Sequence, residues 1–232
     1  MKTRNMGFLN QHFYFGMSLL IAAIVVWGFS HTINQNLIHA TPTRPWILYL
    51  HGVVFSGWVV FFIVQSSLVR LHKVHVHRTL GWFGAAWGVA IVVLGVSTAI
   101  SMTHFKILTL HLPDAWQFLI VPLWDITCFT VAFTLAILWR KKPEFHRRLM
   151  LITTCVLTAA AFGRFPALFN TFYAGVDLLI FLGVARDLIV TRRIHPVYLY
   201  ALPSLIVGQF LVMHVVLTDS PQWHKIANAI LR

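Results

Sequence analysis

Acidic side chains are scarce in this chain: 232 residues carry only 6 Asp and Glu against 18 Lys and Arg. A soluble domain devotes about a quarter of its residues to charge. Here charged residues make up 10% and hydrophobic ones 58%. That little charge cannot cover the surface of a water-soluble globule. Cysteine is nearly absent as well. Cys128 and Cys155 both lie inside apolar runs without CxxC spacing, so neither a disulfide framework nor a zinc knuckle is implied. The sequence has no HExxH, no Walker loop, no GxGxxG after a strand and no CxxCH. No lysine lies within the apolar runs taken as spans, which excludes a retinal Schiff base.

What the chain does have is apolar length. A bilayer-spanning helix needs about 20 such residues. Runs of that kind fall at 13–30, 46–69, 80–101, 117–139, 149–169, 172–190 and 196–217. Helices are expected because backbone groups in lipid must be satisfied within the segment. Barrel strands would be shorter and would alternate polar with apolar. The sequence therefore predicts an all-α integral membrane bundle of about seven transmembrane helices, forming one domain over residues 1–232. The sixth run is the most polar, because it contains Asp177, Arg186 and Asp187. Lys2 and Arg4 precede the first run as in a signal peptide. No small-x-small cleavage motif follows, so that run is expected to be retained.

A net charge of +12 raises the question of nucleic acid. The distribution argues for a bilayer instead, since the basic residues form short clusters between apolar runs. With the N-terminus in the cytoplasm, most Lys and Arg fall on the inner side. Only Arg44, Lys106, Arg164, Lys225 and Arg232 remain outside, and the C-terminus ends there. Trp27, Trp46, Trp82, Trp116 and Trp139 sit near span ends, as an interfacial aromatic belt requires. The heptad-spaced Gly81, Gly88 and Gly95, and the small residues of span five, predict close helix packing. Pro203 predicts a kink in span seven.

Ionisable residues inside a span are costly and mark candidate sites. At 1.5 Å per residue, His51, Arg164 and Asp177 lie about 8 Å from the outer span ends, Asp125 about 12 Å and His214 about 5 Å. All five belong to the outer third, so one shared polar pocket is expected, with Arg164 paired to Asp125 or Asp177. His51 and His214 then remain as cofactor or metal ligands. A second group, His72, His75, His77, His146 and His195, marks the cytoplasmic span ends, and a short His-Arg repeat opens spans three and five. A b-type haem takes two axial histidines from facing helices. His51 with His214, and His77 with His146, meet the requirement of matching depth. Arg78, Arg147 and Arg148 are suited to holding propionates. Asp125, Arg164 and Asp177 would support the ligands from behind.

The leading expectation is a redox-associated protein that binds haem b or a quinone within the bundle. A zinc-dependent hydrolase using His51, Asp125, Asp177 and His214 is the first alternative. A proton-coupled transporter with buried carboxylates as its relay is another. An accessory subunit of a membrane complex, whose polar network only stabilises, is the plainest. The sequence leaves open whether the chain is an enzyme.

The stretch Leu50-His51-Gly52 through Gln65 to His77-Arg78-Thr79-Leu80-Gly81 resembles small bacterial seven-span membrane proteins of unknown function that have a His-Arg-x-Leu-Gly helix start. The segment from Asp187 to His195-Pro196 is similar to the end of such proteins. The resemblance implies a bacterial inner (plasma) membrane and no established activity. The histidines at helix ends give a looser likeness to b-type membrane cytochromes. A third likeness is to the seven-span progestin and adipoQ receptor-like hydrolases, whose zinc site uses histidines and an Asp. This chain departs from them in lacking a His-x-x-x-His in its last span.

Overall fold

Long apolar segments satisfy their backbone hydrogen bonds internally by coiling, and the computed structural model is accordingly all-helical. It describes residues 2–168 and 171–232, and no strand occurs among the described residues. The helices are α1 (Lys2–Ser30), α2 (Trp46–Arg70), α3 (Val74–Leu108), α4 (Ile120–Leu138), α5 (Pro143–Val156), α6 (Ala159–Phe162), α7 (Phe172–Thr191), α8 (Pro196–Leu217) and α9 (Pro221–Ile230). A 3-10 segment, Pro113–Leu119, leads into α4.

Among the described residues, five segments are long and apolar enough to cross a membrane: Gln11–Ser30, Trp46–Arg70, Val74–Leu108, Pro113–Leu138 and Pro196–Leu217. Their outward faces carry large apolar side chains; Val53 and Phe210, for example, are each 71% exposed. Such surfaces fit contact with lipid. The helix α8 runs on through Pro203.

The fifth apolar run departs from expectation. A continuous helix over 149–169 was predicted, whereas α5 stops at Val156 and the chain turns at 157–158 into the four-residue α6. Residue 169, the expected end, lies outside the described residues. Two threonine hydroxyls bond back to the backbone beside the break. The Thr154 hydroxyl donates to the Met150 carbonyl at 3.0 Å and the Thr158 hydroxyl to the Cys155 carbonyl at 2.6 Å. Such back-bonding competes with the helical ladder. The α7 helix is long enough to cross but carries Asp177, Arg186 and Asp187.

The packed pairs close into a ring in the order α1, α2, α3, α4, α8, α7 and back to α1. The α5 helix stands in its middle, touching α1, α4, α7 and α8. Of its residues 148–156 all but Met150 are buried, which a helix on the rim could not achieve. Two aromatic-rich cores fill the ring. One surrounds α5; the other joins Trp58 of α2 to Phe129 and Phe133 of α4, with ring centroids 5.7 Å apart in each case. The heptad glycines serve this second core in part. Phe133 and Ile126 of α4 occupy the space a Cβ would take at Gly88 and Gly95, while Gly81 faces open space.

The short α9 helix has no counterpart among the expected elements. Ser220 caps it, accepting from the Trp223 amide at 3.4 Å. The Trp223 indole donates to the Trp116 carbonyl at 3.2 Å, and His224 stacks on Trp116 at 4.2 Å. This strap covers the bundle end where α3 finishes.

Candidate functional site

The bundle has two polar ends. The first, called the Arg148 end, gathers the start of α1, the end of α2, the starts of α3, α5 and α8, and the ends of α4 and α7. The second, the Arg164 end, gathers the opposite termini, α6 and α9.

At the Arg148 end lies a buried ion network. Arg148 of α5 grips Asp187 of α7 as a fork, Nε donating to Oδ2 at 2.7 Å and Nη2 to Oδ1 at 2.8 Å. Arg186 donates to the same carboxylate at 2.9 Å. Arg148 also donates to Glu144 at 2.7 Å. Asp187 is fully buried, and the two arginines nearly so. Two guanidiniums flank Tyr14 of α1, with Arg147 and Arg186 lying 5.5 and 5.6 Å from its ring. Among the described residues, the hydroxyls of Tyr14 and Tyr198 are buried here without hydrogen-bond partners. Burial pulls the Glu144 carboxyl upward, but the Arg148 hydrogen bond and the neighbouring arginine charges outweigh it and leave it below the usual range. The His195 imidazole, held as the cap of α8, is lowered by burial and then by the Arg148 charge.

The pair His77 and His146 is brought together at this end. Their ring centroids are 6.2 Å apart, with planes at 74°. His146 Nδ1 lies 2.9 Å from the Ala136 carbonyl. A carbonyl only accepts, so Nδ1 carries a proton in this contact. Among the described residues, the Nδ1 atom of His77 is buried and has no hydrogen bond within 3.5 Å.

His51 and His214 occupy the Arg164 end but stand on α2 and α8, which face each other across the ring. No ring contact or hydrogen bond joins them among the described residues. His51 stacks on Phe55 at 3.9 Å, and His214 lies over Phe210 at 6.4 Å, each within its own helix. The expected pairing of Arg164 with Asp125 or Asp177 is also not formed. Arg164 donates to the Thr32 hydroxyl at 3.1 Å and lies 4.0 Å from the Phe29 ring centroid. The two carboxylates take neutral donors instead. The Tyr173 hydroxyl donates to Asp125 at 3.0 Å, and Gln209 Nε2 donates to Asp177 at 3.1 Å. Tyr173 and Asp177 are one turn apart on α7, so these bonds tie α4, α7 and α8 together. Matching depth is not proximity: α1 and α6 bring Arg164 to the end of α1, away from α8.

Beside these carboxylates a groove of about 220 Å³ runs between α7 and α8, lined by Thr171, Phe172, Tyr173, Ile206, Gln209, Phe210 and Met213. The described residues hold no group of three or more His, Cys, Asp or Glu close enough for a metal ion, so the four residues of the zinc alternative are not gathered. The Arg148–Asp187 pair was missed by sequence reasoning, which took Asp187 only as a blemish on span six. The available signal was an Arg-Asp dipeptide at one span end facing a His-Arg-Arg start at the same depth. No family model, no curated protein and no solved structure matches this chain.

Proposed function

We propose that this chain is a seven-span protein of a bacterial inner (plasma) membrane, with its N-terminus cytoplasmic and C-terminus outside, that binds a lipid-soluble quinone between α7 and α8. Two crossings are added to the five apolar segments, namely 149–168 and α7. The first is supported by its register with α1: Arg147 lies against Tyr14 and Arg164 against Thr32, so both segments traverse the same depth. The Arg148 end, with Arg70, Lys73, Arg78 and Arg140 to Lys142 around it, is the cytoplasmic side by the positive-inside rule.

The quinone reading rests on the groove. Phe210, 71% exposed, makes its wall open outward to lipid rather than into the bundle. Phe172 and Phe210 offer aromatic faces to a planar ring. Gln209 uses one amide hydrogen on Asp177 and keeps a second for a quinone carbonyl. Asp177, behind it, holds the Gln209 amide in place through that hydrogen bond. The test is titration of the purified protein with decylubiquinone, followed by tryptophan quenching. Saturable quenching, weakened at least tenfold in Gln209→Leu and Tyr173→Phe, is expected. Quenching that does not saturate, or is unchanged in both variants, removes the quinone site.

A haem b site is the second reading, favoured by the His77–His146 ring contact alone. It requires a b-type band in the reduced-minus-oxidised spectrum of protein made with ample haem, lost in His146→Ala. A flat spectrum ends it.

A further inference from the structure

The His77–His146 pair stands without a carboxylate. Both acids of its end, Glu144 and Asp187, are held by Arg147, Arg148 and Arg186. The two rings come from the starts of α3 and α5, with centroids 6.2 Å apart. A metal ion holds an imidazole nitrogen at about 2 Å, which puts each ring centroid about 3 Å from the ion. One ion therefore spans rings at this separation when the two nitrogens approach it from nearly opposite sides. Tetrahedral coordination would bring the centroids to about 5 Å. His146 also has the anchoring common to ligating histidines. Its Nδ1 lies 2.9 Å from the Ala136 carbonyl, so the neutral ring offers Nε2 to an ion.

Two further groups belong to the same level. Met150 is one turn along α5 from His146, on the same face. Long side chains on a helix lean toward its N-terminus, which carries the Met150 thioether toward His146. Met150 packs against both cores, and within 148–156 it is the residue that is not buried. Gln65 of α2 is 8% exposed, and neither heteroatom of its amide is hydrogen-bonded among the described residues. It lies two turns along α2 from Trp58, which meets Phe133, and Ala136 is one turn past Phe133 on α4. The amide thus faces the level of the histidines, where leaving it bare is costly. Imidazole suits several transition metals, and a thioether selects cuprous copper. With arginines close by and no carboxylate to offset charge, a singly charged ion is favoured over a divalent one.

We propose that His77, His146 and Met150 bind a cuprous ion at the Arg148 end, with the Gln65 amide hydrogen-bonded within the site. The site is independent of the quinone groove. It uses the pair named for haem, so copper and haem exclude each other there. The experiment is anaerobic titration of the full chain in dodecyl maltoside with Cu(I) in ascorbate, against bicinchoninate as competitor. One cuprous ion per chain, withheld from bicinchoninate and with a sulfur neighbour in its X-ray absorption spectrum, is expected. Met150→Leu should bind at least tenfold more weakly and lose the sulfur neighbour. His146→Gln should also bind at least tenfold more weakly, with each variant monodisperse on gel filtration. Met150→Leu nearly conserves volume, so it keeps the test decisive if His146→Gln misfolds. His214→Ala, at the opposite end, should bind as wild type. No copper withheld from the competitor overturns the proposal. So does wild-type affinity in either monodisperse variant, loss of binding in His214→Ala, tighter binding of zinc than of cuprous ion, or a b-type haem on the pair.

Discussion

Replacing Asp187 by Asn keeps the side chain's shape and removes its charge, which isolates the contribution of the buried ion network. The carboxylate receives three charged hydrogen bonds, two from Arg148 and one from Arg186, at 2.7 to 2.9 Å. Breaking a buried pair by neutralising one partner costs about 3–5 kcal/mol, because a desolvated charge is left behind. Arg148 is not wholly abandoned, since Glu144 stays at 2.7 Å. That side chain is 54% exposed, so water screens it and its compensation is at most about 1 kcal/mol. The expected loss is therefore about 3 kcal/mol, near the lower limit, or roughly a hundredfold in the unfolding equilibrium. Unfolding in mixed dodecyl maltoside and SDS micelles, followed by tryptophan fluorescence, reads this directly. The double variant Asp187→Leu with Arg148→Met removes both charges of the fork and should recover part of the loss, since Arg186 still loses its bond to Asp187. A single Asn variant within about 0.5 kcal/mol of wild type would mean that the network is hydrated and contributes no more than a surface pair.

The same end should be acid-sensitive. The Glu144 carboxyl is held below its ordinary value in the folded chain. Its contribution is complete above the unfolded pKa and fades as pH falls through the folded one. Glu144→Gln should thus differ from wild type near neutrality and converge with it in acid; a constant difference contradicts the pairing. His195 is likewise lowered, and as the cap of α8 it accepts from the Val197 amide at 3.3 Å. Stability should fall as pH drops from the ordinary imidazole value of about 6.5 through the lower folded value. His195→Ala should cost about 0.5 kcal/mol at neutral pH, the low end for a lost cap, and flatten that slope. Gly88→Leu should drive Phe133 off its seat and destabilise by about 1–3 kcal/mol, whereas Gly81→Leu, facing open space, should be near neutral in the same unfolding assay.

Why the sequence revealed depth but not neighbours follows from the solvent. In water a helix shows its inner face through an apolar stripe, and that stripe tells which way each residue points. In lipid the outer face is as apolar as the inner one, so α2 and α8 carry no such stripe. Span positions could then be counted from apolar length alone, and five of the seven expected runs coincide with helices long and apolar enough to cross a membrane. The azimuth stayed hidden. His51 and His214 share a height and stand across the ring; His77 and His146 share a height and touch. The difference lies in the order α1, α2, α3, α4, α8, α7, which depends on α5 taking the centre. Its centrality left one legible trace, the Thr-, Ala- and Gly-rich composition from 153 to 163, since only a helix packed on all sides dispenses with bulky outward residues. The same argument explains the missed salt bridge. A helix enclosed by its neighbours cannot leave Arg148 to reach water, so a carboxylate at that height on an adjacent helix was required. Asp187 is the acid that meets the condition.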